Sequence, residues 1–233
     1  MGMANRHRRK KYLVRTMGYD PENIIYKIDV SFAEMRNIFG TRENPKGQLH
    51  WLVRKDRSEV FIYYAGHGAP GPDGSANYLV PVDAAADFIA NNGYSLEDFY
   101  HILSKLPAKE ITVVLDACFS GYSASGPLFK NISPGMLKNK RPVRTMARGS
   151  VFCGADKDQV CTWYPAKRHS LFTYFFLKGL GGGADKNGDK TITTGEMKDY
   201  LEEEVPYRAG VEAKRKQNPL VTGDGSAVLT RLE

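Results

Sequence analysis

Four short runs rich in β-branched and aromatic residues recur along the chain, at residues 23–30 (NIIYKIDV), 59–65 (EVFIYYA), 111–117 (ITVVLDA) and 150–155 (SVFCGA). Helical signals fill the segments between them, and strands alternating with helices build a mostly parallel sheet covered on both faces. Ser31-x-x-Glu34 spells a capping box ahead of Phe32, Met35 and Phe39 on one helical face, with Gly40 as the stop. Ser95 opens a second helix, in which Leu96, Phe99, Ile102, Leu103 and Leu106 keep helical spacing until Pro107 ends it. Residues 169–180 read as a heavily buried helix and residues 197–205 as an amphipathic one. The expected fold class is α/β, a mostly parallel sheet with helices on both faces, and 233 residues suffice for one such core.

The formal net charge of +7 raises nucleic acid as a partner, and the charge distribution argues against it. Residues 1–20 hold six basic residues and one acidic, and residues 127–148 hold six basic and none acidic, which leaves the rest of the chain at −4. The basicity sits in a tail, residues 1–11, and in the stretch 121–149. Four glycines, three prolines and little apolar periodicity make that stretch a long exposed loop by expectation. Neither tract offers the folded basic surface with interleaved aromatics that nucleic acid requires. No apolar run reaches the roughly 18–20 residues that cross a bilayer. The opening MGMANRHRRKKYLV lacks the apolar stretch of a secretory signal, so a cytoplasmic protein with no nucleic-acid or membrane partner is expected. The three cysteines, Cys118, Cys153 and Cys161, include no C-x-x-C pair and are expected to be free thiols. Seven-residue gaps between Cys153, Cys161 and His169 miss the short paired spacings of zinc sites, which assigns Cys153 and Cys161 a structural role.

Two of the strand-like runs end in reactive residues. FIYYAGHG sets His67 between glycines, and ITVVLDACFSG sets Cys118 just before a turn. Ligands bind at the carboxyl ends of strands in open parallel sheets, so both side chains are expected at the functional edge. A thiol ordinarily titrates near pH 8.5, and an imidazole beside it is needed to generate thiolate at neutral pH. Cys118 is therefore the candidate nucleophile and His67 the general acid and base. The backbone N–H groups of Gly68 and Cys118 are the candidate oxyanion donors. A lone cysteine at a strand end is more often an inert hydrophobe; the pairing of His-Gly with Asp-Ala-Cys, 51 residues apart, is what favours chemistry. Asp29 and Asp116 also end strand-like runs, and two carboxylates at one sheet edge hold a guanidinium bidentately. Asp29 can equally cap the helix that follows or merely end a strand.

These motifs, together with Tyr78-Leu-Val-Pro-Val-Asp83, Asp158-Gln159, Leu171-Phe-Thr-Tyr174 and Gly179-Leu180, resemble the caspase-like cysteine peptidases over roughly residues 12–232. Within them, the resemblance is to the metacaspase and bacterial caspase-homologue branch. It implies a single caspase-like domain over residues 12–233. Residues 12–120 form its nucleophile-bearing, large-subunit-like part, 121–149 the basic loop and 150–233 the small-subunit-like part. It further implies a cysteine endopeptidase acting on peptide or protein substrates, with no cofactor required for the chemistry. Cleavage after Arg or Lys, through Asp116 and Asp29, is implied as well, as is processing in the loop, here within residues 130–148. Two departures stand out: Ala65 replaces a serine that metacaspases often carry, and only the basic tail occupies the place of the family's first strand, which the sheet is expected to lack. Readings from other classes are a catalytically silent caspase-like scaffold and a calcium-responsive binding module.

The calcium reading rests on residues 185–196 (DKNGDKTITTGE). Asp185, Asn187, Asp189 and Glu196 fall at positions one, three, five and twelve of an EF-hand loop, with the Thr191 carbonyl at position seven. Position six is Lys190 where the loop calls for glycine. The plainer alternative is an Asx-rich turn followed by the capping box Thr193-x-x-Glu196.

Overall fold

A computed structural model of the protein describes residues 12–120, 122–123, 126–127, 149–156 and 159–232. The basic tail 1–11, Asp158 and the expected processing stretch 130–148 lie outside the described residues. The helices used below are, in chain order, α1 (Phe32–Phe39), α2 (Gln48–Leu52), α3 (Leu96–Ser104), α4 (Leu171–Lys178) and α5 (Thr194–Ala213). The strands used below are β1 (Glu59–Ala65), β2 (Gly68–Pro70), β3 (Asn77–Leu79), β4 (Tyr94–Ser95), β5 (Glu110–Asp116) and β6 (Ser150–Cys153). They continue with β7 (Trp163–Tyr164), β8 (His169–Ser170), β9 (Thr191–Thr193), β10 (Leu220–Thr222) and β11 (Val228–Arg231). The main sheet runs β1-β5-β6-β10, with β1, β5 and β6 mutually parallel and β10 antiparallel to β6.

Side chains alternate across each strand, which sorts the core onto two faces. Val60, Ile62, Val113, Leu115 and Val151 pack with Met35 of α1 and with Phe99, Ile102 and Leu103 of α3. Val114, Phe152 and Val221 point the other way and meet Phe172, Phe175 and Phe176 of α4 and Met197 and Leu201 of α5. Each buried Phe or Leu contributes about 1.5–3 kcal/mol, so these two layers outweigh the propensities of such short helices. The α/β expectation with helices on both faces is met. The caps form as spelled: Glu34 N donates to Ser31 Oγ at 3.2 Å, Ser31 N donates to Glu34 Oε2 at 3.1 Å, and Gly40 ends α1 at φ 102°.

Three expectations need correction. Residues 23–30 form no strand: Pro21–Asn23 is a 3-10 turn, and the residues after it join no ladder. Strand chemistry yields a strand only where a neighbour completes its hydrogen bonds, and none of the described strands pairs with these residues. Ile28 consequently stays 42% exposed, and Val30 O accepts from Val82 N at 2.9 Å outside any sheet. The buried helix begins at Leu171 and not at His169, since His169 and Ser170 pair with Tyr164 and Trp163. Finally, α5 continues past Val205 through Pro206 to Ala213. A proline costs about 3 kcal/mol in a helix interior, and burial of Ala209 in the turn beyond it offsets part of that cost.

Candidate active site

Parallel register fixes where the two candidate catalytic residues emerge. Ala65 of β1 lies opposite Asp116 of β5, and Gly66 N donates to Asp116 O at 3.3 Å. His67 and Cys118 each follow two residues later on neighbouring chains, which in a sheet run about 4.8 Å apart. The chains stay in contact beyond that pair: a Cβ on Gly68 would lie 2.9 Å from Cys118 O and 2.6 Å from the Phe119 ring. Only glycine leaves that space. His67 is exposed and Cys118 half-buried, and Cys118 Sγ accepts a hydrogen bond from Cys161 N at 2.6 Å.

Gly68 opens the β2–β3 hairpin, in which Val80 N donates to His67 O at 3.0 Å and Gly71 N to Ala76 O at 2.7 Å. Antiparallel alternation then assigns Gly68 and Pro70 to the intervening positions, whose N–H sites point out of the ladder. Proline is tolerated at one of them for that reason, and at the other the Gly68 N–H is left to face outward. Tyr64 ties the turn down, its hydroxyl lying 2.8 Å from His67 O and 3.2 Å from Val80 O. Burial raises the Tyr64 phenol well above its ordinary range and keeps it a donor.

Asp116 is buried at the end of β5, and its Oδ2 accepts hydroxyl protons from Ser170, from Thr173 at 2.5 Å and from Tyr63 at 3.3 Å. Ser170 is the N-cap of α4. Its Oγ accepts from Thr173 N at 3.1 Å while its proton goes to Asp116, so the carboxylate sits at the positive end of the helix. Asp116 Oδ1 takes no hydrogen bond from a described residue. Asp29 stands differently: it is exposed, adopts a left-handed φ of 50°, and no contact among the described residues joins it to Asp116.

With this edge in place, the comparison with protein families is decisive, because the model of the caspase domain matches residues 9–226. The chain belongs to the caspase-domain family. The match bears out the caspase-like fold and the resemblance to the caspase-like peptidase family. Relatives include Metacaspase-1 of Ajellomyces capsulatus (strain NAm1 / WU24), 27% identical over 150 residues, 59% of this chain and 40% of the relative. Metacaspase-1 of Mycosarcoma maydis is 25% identical over 206 residues, 83% of this chain and 49% of the relative. Metacaspase-1 of Yarrowia lipolytica (strain CLIB 122 / E 150) is 24% identical over 155 residues, 61% of this chain and 32% of the relative. The matches thus take in about a third to a half of the length of these relatives. No described helix of this caspase domain is long and apolar enough to cross a membrane.

Sequence reasoning missed the supports of the site. Ser170 and Thr173 read only as members of a buried helix over residues 169–180 and Tyr63 as one side chain of a strand; nothing in their spacing points to Asp116. Cys161, expected to be structural, meets the candidate nucleophile Cys118 directly through its backbone N–H. The Cys118 sulfur beside it, together with burial, pushes the Cys161 thiol well above its ordinary range. Gln217, wholly buried, holds this segment: its Oε1 accepts from Thr162 N at 2.8 Å and its Nε2 donates to Gly154 O at 2.7 Å.

The EF-hand-like loop of this caspase domain folds back on itself. Asp185, Asp189 and Glu196 bring carboxylate oxygens within 4.8 Å of one another. Lys190 adopts φ 62°, the left-handed conformation for which position six normally uses glycine. Asp185 Oδ1 and Oδ2 accept from Gly188 N at 2.8 Å and Lys190 N at 3.1 Å, and Asn187 Oδ1 from Asp189 N at 2.8 Å. The alternative capping box is also formed, with Thr193 N donating to Glu196 Oε2 at 3.0 Å and Glu196 N to Thr193 Oγ1 at 3.2 Å. Yet Glu196 Oε1 is buried without a hydrogen-bond partner, and a hard cation satisfies such an oxygen. The donor set fits Ca²⁺.

Proposed function

We propose that this caspase domain is an endopeptidase that cleaves after Arg or Lys through a Cys118–His67 dyad. The observation that carries the reading is the common edge: His67 and Cys118 follow the Ala65–Asp116 pair by two residues each, beside a buried carboxylate with one oxygen held by three hydroxyls. His67 takes the proton from Cys118 Sγ, and the sulfur attacks the scissile carbonyl carbon. The charge that develops on the carbonyl oxygen meets the N–H groups of Gly68 and Cys118. His67 returns the proton to the leaving amine, then deprotonates the water that hydrolyses the thioester and restores the thiol. Asp116 Oδ1 pairs with the substrate cation, and Asp29 supplies a second carboxylate from the rim.

A second proposal concerns the loop: Asp185, Asn187, Asp189, the Thr191 carbonyl and Glu196 hold Ca²⁺, which the orphaned Glu196 Oε1 favours. The ion orders the loop and takes no part in the peptide chemistry. Hydrolysis of peptide amides with Arg, Lys or Asp before the scissile bond, compared between wild type and Cys118→Ala with and without millimolar Ca²⁺, tests the main reading. Turnover of the Arg and Lys peptides by wild type alone is expected. Folded protein that turns over none of them, or prefers Asp, overturns it and leaves the silent scaffold.

A further inference from the structure

We propose that Cys118 and Cys161 form a reversible disulfide in the presence of peroxide, which takes the nucleophile out of service. The consequence for activity rests on Cys118 being the catalytic thiol; the bond itself does not. The 2.6 Å contact from Cys161 N to Cys118 Sγ places the Cys161 Cα within about 4 Å of that sulfur, since an N–Cα bond is about 1.46 Å. With the short side chain of Cys118 included, the two Cα atoms lie no more than about 7 Å apart, which bounds them near the upper end of the span a disulfide bridges, about 4.4–6.8 Å. The Cys161 thiol occupies space that a glycine leaves: a Cβ on Gly154 would lie 3.2 Å from its sulfur. Cys118 and Cys161 are both half-buried. Cys153 is fully buried, and its thiol donates to Ala155 O at 3.4 Å, which keeps it out of the exchange.

The reaction balances with peroxide as the two-electron oxidant. The Cys118 thiolate attacks one peroxide oxygen, the O–O bond breaks, and the departing hydroxide takes a proton to become water, leaving Cys118 as a sulfenic acid. Cys161 sulfur then attacks the Cys118 sulfur, the S–O bond breaks, and the second hydroxide leaves as water with the proton of the Cys161 thiol. Two thiols and one peroxide give one disulfide and two waters. A dithiol reductant reverses it by exchange, restoring both thiols. Burial and the Cys118 sulfur hold the Cys161 thiol well above its ordinary range, so its attack on the sulfenic acid is expected to quicken as pH rises.

The test uses the whole reduced chain, exposed to graded hydrogen peroxide, trapped with N-ethylmaleimide and mapped without reduction. A linked peptide holding Cys118 and Cys161 is expected, about 2 Da lighter than the sum of the two reduced peptides, with no maleimide on either cysteine, and a dithiol separates it. In Cys161→Ser, Cys118 is expected to proceed to sulfinic acid that the dithiol does not reverse. Cys118 passing to sulfinic acid in wild type without the linked peptide, or a bond to Cys153 in its place, overturns the proposal. Mass keeps this independent of turnover. Inactive protein that forms the bond refutes the peptidase reading alone, and active protein that never forms it refutes the switch alone.

Discussion

At the residue scale the site turns on Asp116. Its three hydroxyl donors belong to residues 53, 54 and 57 positions away, on β1 and at the start of α4. The placement of His67 and Cys118 at one edge was legible because each follows a strand in contiguous sequence; a cage assembled across that distance is not. Asp116→Asn keeps an oxygen for the hydroxyls and removes the charge. It should lower kcat/KM for Arg peptides by roughly 30- to 5,000-fold, the equivalent of about 2–5 kcal/mol for a desolvated charge left unpaired. Alkylation of Cys118 by uncharged iodoacetamide should change by less than about threefold, and an equal fall in both rates would assign Asp116 to the nucleophile instead. Asp29 is separable from its backbone, since Asp29→Gly suits its φ of 50° while deleting the carboxylate. Lower kcat/KM for Arg with unchanged melting temperature is expected, and unchanged kinetics would make Asp29 a turn residue. A third residue-scale outcome concerns Cys153, whose thiol burial pushes from 9.0 up to about 12. The folded value lies above the unfolded one, so the stability from keeping this thiol neutral is complete below about pH 9 and drains away as pH rises toward 12. Urea titrations under reductant should show stability falling with a slope of up to about 1.4 kcal/mol per pH unit from this group. Cys153→Ala should flatten that slope, and an unchanged slope would assign it to the buried tyrosines.

At the element scale, what the sequence carried best were three caps. Ser31, Ser95 and Thr193 cap the helices that follow them as spelled, because a cap depends on residues within three positions of itself, whereas the extents of the last two helices needed correction. Residues 23–30 failed for the opposite reason: their hydrogen bonds require a neighbour that no local pattern specifies. The loop of residues 185–196 sits between these cases, with spacing that is readable and occupancy that depends on charge and strain. Lys190 at φ 62° costs about 1–2 kcal/mol relative to glycine and sets a positive charge beside the three carboxylates. Lys190→Gly should therefore raise the melting temperature and tighten Ca²⁺ binding by roughly tenfold, read by calorimetry. Glu196→Gln retains an oxygen for the capping box while deleting one charge, and should abolish the binding heat with little loss of helix stability. Calorimetry that shows no heat at millimolar Ca²⁺ in both wild type and Lys190→Gly would leave the loop as a turn and cap.

At the scale of the whole molecule, the order of the sheet decides what a cut between its halves would do. The basic stretch 121–149 connects β5 to β6, and these two strands are hydrogen-bonded neighbours in parallel register from Thr112↔Ser150 to Leu115↔Cys153. Val113, Leu115, Val151 and Cys153 share one core, and Val114 and Phe152 the other. A chain severed between β5 and β6 therefore keeps both layers intact, because no packed side chain has to leave its neighbours. The stretch also carries Lys130, Lys138, Lys140, Arg141, Arg144 and Arg148, the side chains that Asp116 is proposed to bind. Self-cleavage within residues 130–148 follows as an expected outcome, with two fragments that co-elute as one particle on native gel filtration and separate only in denaturant. Intact masses of wild type and Cys118→Ala after incubation decide it. Cleavage at Arg or Lys in wild type alone is expected; fragments from both proteins indicate a contaminating protease, and no fragments from an active wild type end the idea. Fragments that part without denaturant would contradict the sheet order itself, since adjacent β5 and β6 strands buried on both faces cannot separate without unfolding the core.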